Sequence, residues 1–185
     1  MLTGVLALAG CTSAPTKAVA VSSASHATAA RARAASSAST HIVIYSINSD
    51  GPRFRAIVTG AIGDYGPAVI VGPDGKADPS HGSELDLKLA HGSFRLSIKE
   101  IDRAFVAAAG REPIYPGTCS DFINVSGSVP IVAGSGTGSY RGIGGSFQLT
   151  ITLNEVEAKS CRPATPASFR WQLITLAGSG TVTRP

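Results

Sequence analysis

Between residues 146 and 154 every second side chain is apolar. Phe147, Leu149, Ile151 and Leu153 alternate with Gln148, Thr150 and Thr152. Successive side chains of a strand point to opposite faces, so this pattern predicts a strand with one buried and one wet face. The same period recurs along the chain. Residues 41–48 and 54–62 are rich in Ile, Val and Tyr, and residues 64–72 lead into a Gly72-Pro73-Asp74-Gly75 turn. Phe169, Trp171 and Leu173 alternate with Arg170 and Gln172. Repeated short strands with glycine and proline between them predict an all-β domain.

One hairpin is specified in more detail. Leu85, Leu87 and Leu89 alternate with Glu84, Asp86 and Lys88, Phe94, Leu96 and Ile98 alternate with Arg95, Ser97 and Lys99, and His91-Gly92 lies between the two runs. A two-residue turn there predicts that Leu89 pairs with Phe94, Leu87 with Leu96 and Leu85 with Ile98, with Lys88 opposite Arg95. The expected core comprises Phe54, Leu87, Phe94, Leu96, Phe147, Leu149 and Trp171. Residues 100–111 are the one helical candidate: Ile101, Ala104, Phe105 and Ala108 have helical spacing, with Gly110 as cap. An irregular insertion is the other reading of that segment.

The N-terminal part differs in composition. Residues 2–9 are short, apolar and uncharged and end in Leu8-Ala9-Gly10-Cys11. This resembles a bacterial lipobox. The resemblance implies that residues 1–10 are a signal peptide, and that Cys11 is acylated and becomes the N-terminus after cleavage. The chain would then be held to the extracytoplasmic side of the cell membrane by its acyl chains, at about 0.8 kcal/mol per buried CH₂. An unacylated secreted protein and a cytoplasmic protein are the other readings. Residues 12–40 hold 11 Ala and 7 Ser and no Leu, Ile, Phe, Tyr or Trp. They are expected to form a tether that together with Cys11 spans 11–40, with the folded domain over 41–185.

Charge and cysteine count fit that division. The net charge is +4, but Lys17, Arg31 and Arg33 precede residue 41 without any acidic residue. The remainder carries 13 basic and 12 acidic groups. A near-neutral domain argues against a nucleic-acid partner, which would call for positive charge on the folded surface. With Cys11 acylated, Cys119 and Cys161 remain. An even remainder in an exported chain predicts a Cys119–Cys161 disulfide, contributing roughly 4 kcal/mol on the chain-entropy model. Two separate thiols are the alternative.

The most distinctive passage runs from Gly134 to Phe147. Gly136-Thr-Gly138 lacks the Gly-Lys-Ser/Thr of a phosphate loop and leads into a strand rather than a helix, so glycines at a sharp β-bend fit better. Gly136, Gly138, Tyr140, Gly142, Gly145 and Phe147 match a G-x-G-x-Y-x-G-x-x-G-x-F/Y pattern. That pattern resembles the signature of the allene oxide cyclase barrel-like and dirigent-like families. Gly92-Ser93-Phe94-Arg95-Leu96 and Ala177–Val182 resemble two further strands of those families. The resemblance implies an antiparallel eight-stranded barrel, the alternative fold being a β-sandwich. It transfers no catalytic residue.

There is no Gly-x-Ser-x-Gly. His26, His41, His81 and His91 fall on the tether, a strand start, a loop and a hairpin turn. A Ser-His-Asp site built from His81 with Asp78 or Asp86 is possible in principle. Glu84 with Asp86, and Glu155 with Glu157, share strand faces and read as solvated carboxylates. Tyr140 reads as a core aromatic. No cofactor or metal is expected. The expectation for function is a lipid-anchored envelope protein with a non-catalytic binding or structural barrel, its partners the membrane and an apolar small molecule. The rival is an isomerase or cyclase acting on a lipophilic substrate inside the barrel.

Overall fold

The computed structural model describes residues 36–47, 53–109, 115, 117–157 and 169–184. Cys11, His26, Gly110 and Cys161 lie outside them, as do the expected signal peptide and most of the tether. Eight strands and one α-helix follow in chain order: β1 (Ser36–Ser46), β2 (Phe54–Gly60), β3 (Asp64–Val71), β4 (Glu84–Leu89), β5 (Gly92–Ser97), α1 (Lys99–Ala109), β6 (Ser120–Pro130), β7 (Gly144–Glu157) and β8 (Phe169–Arg184). All pair antiparallel in one sheet, in the order β5-β4-β3-β2-β1-β8-β7-β6. The sheet curls into a half-barrel with the core on its concave side.

Alternation decides which residues enter that core. On β7, Phe147, Leu149, Ile151 and Leu153 are all buried. Register then extends the inner face across the sheet. Asp64, Val58, Ile42, Gly178, Leu149 and Gly127 form one row through six strands. Gly178 and Gly127 make room for the large side chains of the neighbouring rows, among which Phe94 and Phe147 are almost fully buried.

β5 and β6 are the edges of the sheet, and they do not pair with each other along their length. The glycine-rich segment after β6 crosses this seam instead. Val132 N–H donates to Arg95 O (2.8 Å), Thr137 N–H to Ser93 O (2.8 Å) and Ser139 N–H to His91 O (2.9 Å). The edge of β5 therefore has its backbone groups satisfied without a ninth strand. The crossing needs two glycines. Gly92 (φ 144°) and Gly138 (φ 55°) lie backbone to backbone, and a Cβ on Gly138 would run into the carbonyl oxygen of His91. At the other end of the seam α1 lies against β6. Ile101 packs against the side-chain-free face of Gly127, and Glu100 and Asp102 sit in the first turn, where the helix dipole favours acids.

Several expectations need correction. The helix is real and spans residues 99–109. The hairpin keeps its faces but not its register: Leu87 pairs with Phe94 and Leu85 with Leu96, a shift of two residues. The turn residues are Ala90 and His91 rather than His91 and Gly92, because an acceptor described below binds the N–H groups of both. The shift also puts Asp86 opposite Arg95, removing the Lys88–Arg95 repulsion. β1 starts at Ser36, five residues before the expected boundary at His41. Its first residues pair with the end of β8, and Thr40 is fully buried opposite Gly60 and Gly180. Trp171 does not join the core and is 64% exposed. β8 carries two overlapping alternations, and the longer one through Ile174, Leu176 and Val182 takes the inside, which turns Trp171 and Leu173 outward.

The seam can be tested directly. Gly138→Ala forces a left-handed residue and a backbone clash, and is expected to destabilise by at least about 1 kcal/mol, more than Gly134→Ala, whose added methyl meets open space. Urea unfolding of both variants measures the difference.

Candidate functional site

Two constellations stand out, one polar and one apolar. The polar one centres on Asp64, the first residue of β3. Its side chain is 2% exposed. Oδ1 accepts from the N–H groups of Tyr65 (2.8 Å) and Ala90 (3.1 Å). Oδ2 accepts from His91 N–H (3.1 Å) and the Tyr140 hydroxyl (2.5 Å), and lies 3.1 Å from His91 Nδ1. One carboxylate thus joins the start of β3, the β4–β5 turn and the glycine-rich segment. Tyr140 is itself buried, edge-on to Phe94 with ring centroids 5.4 Å apart, and the Arg184 guanidinium lies 5.8 Å from its ring centroid.

Electrostatics follow from this arrangement. Burial alone would raise the Asp64 carboxyl. The donors from Tyr140, Tyr65 and His91 outweigh it and hold the carboxyl well below the usual carboxylate range. Tyr140 moves the other way: burial, then its hydrogen bond to Asp64 and the Asp64 charge, push its hydroxyl up against the opposing pull of Arg184. Both shifts favour the charged acceptor and the neutral donor. The arrangement makes a structural clamp. It is also the carboxylate–imidazole contact of this face, which the sequence reading sought at His81. His81 and Asp78 instead form an exposed loop pair, Nδ1 to Oδ1 3.7 Å.

The apolar constellation is a cavity of about 100 Å³ at the opposite end of the half-barrel, beneath α1. Phe54, Ile70 and Leu85 line one wall and Ile151, Ile174 and Leu176 the other. Ile98 and Phe105 close it above, and Asp102 is the single ionisable side chain at its lining. Burial raises the Asp102 carboxyl above the usual value, so it retains its proton to higher pH than an ordinary aspartate. An apolar chamber with one carboxyl at its edge suits a small hydrophobic molecule with a polar end.

The remaining sequence candidates fall elsewhere. His41 is exposed, with Nδ1 2.8 Å from Ser179 Oγ. Glu84 is not a freely solvated carboxylate: it is ion-paired to Arg95 at 2.6 Å, and its side chain is 13% exposed. Glu155 is buried, on the inner face of β7, where Gln172 Nε2 donates to it (3.2 Å). Its parity with Leu149 and Leu153 was the available signal. Asp86 lies on the outer face of β4, its carboxyl raised by burial against the pull of Lys88 and Arg95. Cys119, half-buried in the turn before β6, is not a free thiol. Asp64 and Asp102 were both missed, because neither stands in a motif. Among the described residues no three His, Cys, Asp or Glu side chains gather as metal ligands, and no helix is long and apolar enough to cross a membrane. Comparison with protein-family models, curated proteins and solved structures finds no match for this chain.

The clamp has a defined pH signature. Asp64 is lowered in the folded state, so the stability it contributes is in place above the unfolded value of about 3.9 and is lost as pH falls below that. Tyr140 is raised, so its contribution is in place below about 10 and is lost as pH rises further. Tyr140→Phe is expected to cost about 1.5–3 kcal/mol at neutral pH, the value of a hydrogen bond to a charged group. It should also flatten the alkaline limb. Chemical denaturation across pH reads both effects.

Proposed function

We propose that the chain is a lipid-anchored envelope protein whose half-barrel is a non-catalytic binding module for a small apolar ligand. The observation that carries this reading is the chamber beneath α1, with eight apolar side chains and one carboxyl at its lining. Phe105 and Asp102 belong to α1, a single helix packed on the edge strand β6, so a displacement of the helix opens the chamber to a ligand. The ligand's apolar part occupies the space between Ile151 and Phe54, and its polar end meets Asp102. The resemblance of the segment from Gly136 to Phe147 to allene oxide cyclase barrel-like proteins supports a barrel that receives lipophilic molecules. Leu8-Ala9-Gly10-Cys11 supports the anchor, with a Cys119–Cys161 disulfide as expected of an exported domain.

Two measurements test the reading. Titration of the full chain with n-alkanols of increasing length, which carry no titratable group in this range, should show saturable binding, and Ile151→Trp, which fills the chamber, should weaken it by at least about tenfold. Affinity should fall as pH rises and Asp102 ionises, and Asp102→Asn should remove that dependence. A chain that binds no member of the series sinks the proposal. Mass mapping of the membrane fraction should find diacylglycerol on Cys11 and a linked Cys119–Cys161 peptide. An unmodified Cys11 would end the anchor assignment, and free thiols the disulfide.

A further inference from the structure

The end of the half-barrel that Asp64 clamps holds a cationic group that the clamp does not neutralise. β8 continues its inward alternation past Gly178 and Gly180 to Val182 and Arg184. β1 matches it, with Thr40 opposite Gly180 and Ala38 opposite Val182. On the other side Thr40 pairs with Gly60, the last residue of β2, and Ala61 follows it. Ala38, Ala61, Val182 and Arg184 line a cavity of about 160 Å³ at this end. The small side chains of Ala38 and Ala61 leave the space, and Arg184 is the charged member of the lining.

A guanidinium carries five N–H donors and no acceptor. In Arg184 one nitrogen, Nη2, donates to Ala61 O (2.9 Å). Nε is shut off from solvent and meets no acceptor. Among the described residues no carboxylate pairs with the group. Asp64 shares Tyr140 with it, because the guanidinium lies against the ring whose hydroxyl Asp64 binds. The Asp64 oxygens, however, are taken by Tyr65, Ala90, His91 and Tyr140. The neighbouring Thr40 is fully buried, and its hydroxyl also lacks a partner. Buried donors are ordinarily satisfied, charged ones above all, so this end of the fold is short of an acceptor.

We infer that this cavity binds a small organic carboxylate through Arg184. The planar fork of a guanidinium matches the two oxygens of a carboxylate. One positive charge balances one negative charge. A phosphate dianion would keep an unmatched charge against the methyl groups of Ala38, Ala61 and Val182. Those methyl groups suit instead the short alkyl part of an anion the size of acetate or propionate. The Arg184 side chain is half-buried rather than enclosed, so the anion reaches it from outside. The site shares no lining residue with the chamber beneath α1, so it stands or falls separately from the binding reading above.

The test is an NMR titration of the full chain with sodium acetate, replacing chloride at constant ionic strength. The Arg184 Nε–H is out of reach of water and therefore slow to exchange, so its nitrogen–proton signal is observable, and the Val182 methyl groups report the cavity wall. Saturable shifts of both are expected. Arg184→Gln, read at Val182, should weaken binding by at least about tenfold. Ala38→Leu, which fills the cavity and keeps the guanidinium, should weaken it as much, and separates the site from any folding defect of Arg184→Gln. Arg55→Gln, exposed near the opposite end of β2, and Ile151→Trp, inside the chamber, should bind acetate as the parent does. Absence of a saturable shift, unchanged affinity in Arg184→Gln or Ala38→Leu, or inorganic phosphate bound as tightly as acetate would overturn the inference. So would a loss in Ile151→Trp, which would place the anion in the chamber.

Discussion

A buried carboxylate that gathers donors from three separated segments sets the geometry of this half-barrel. Asp64 lies 26 residues from Ala90 and 76 from Tyr140, yet bonds to both. An isolated charge in that position would be strongly unfavourable. It is tolerated because two backbone N–H groups of a turn, one of its own strand, an imidazole nitrogen and a phenol all face it. The consequence reaches beyond the clamp. By holding the N–H groups of Ala90 and His91, Asp64 selects the turn, and the turn selects the register of β4 on β5. By holding Tyr140, it brings the glycine-rich segment to the seam, where that segment satisfies the edge of β5.

The two ends of the molecule thus do different work. The clamped end is closed by hydrogen bonds and by the close approach of Gly92 and Gly138. The other end is covered by α1, which fills the seam with Ile101 and Phe105 while leaving an apolar chamber beneath it. One end is closed by polar ties and the other is covered by one packed helix, whose Ile101 belongs to the core. Phe122, Val156, Trp171 and Leu173 lie exposed on the outer face of β6, β7 and β8 at the covered end.

Much of this was legible in period two. The alternations at residues 146–154 and 84–98 named the inner residues correctly, because burial of one face is a local property of a strand. They could not name partners. A register shift of two preserves every face, so the pattern of leucines could not distinguish Leu87 opposite Leu96 from Leu87 opposite Phe94. Trp171 shows the complementary limit. Leu173 and Ile174 are adjacent and both apolar, so either alternation of β8 satisfies the local pattern, and only pairing with β1 and β7 decides which enters the core. Glu155 was misread for a similar reason: its charge suggested solvent, while its position in the β7 alternation put it inside.

The sequence by itself determined the all-β class, a helical candidate after β5, the bend at the glycines and the near-neutral charge of the folded part. Each is a sum of local preferences: alternation, helical spacing, φ freedom and composition. Tertiary structure alone decided the register, the clamp, the seam and the chamber. These depend on groups distant in sequence meeting at hydrogen-bond or van der Waals distance, and such meetings leave no periodic trace in the chain. Asp64 is one aspartate among twelve acidic residues until Tyr140 and the turn at Ala90 close around it.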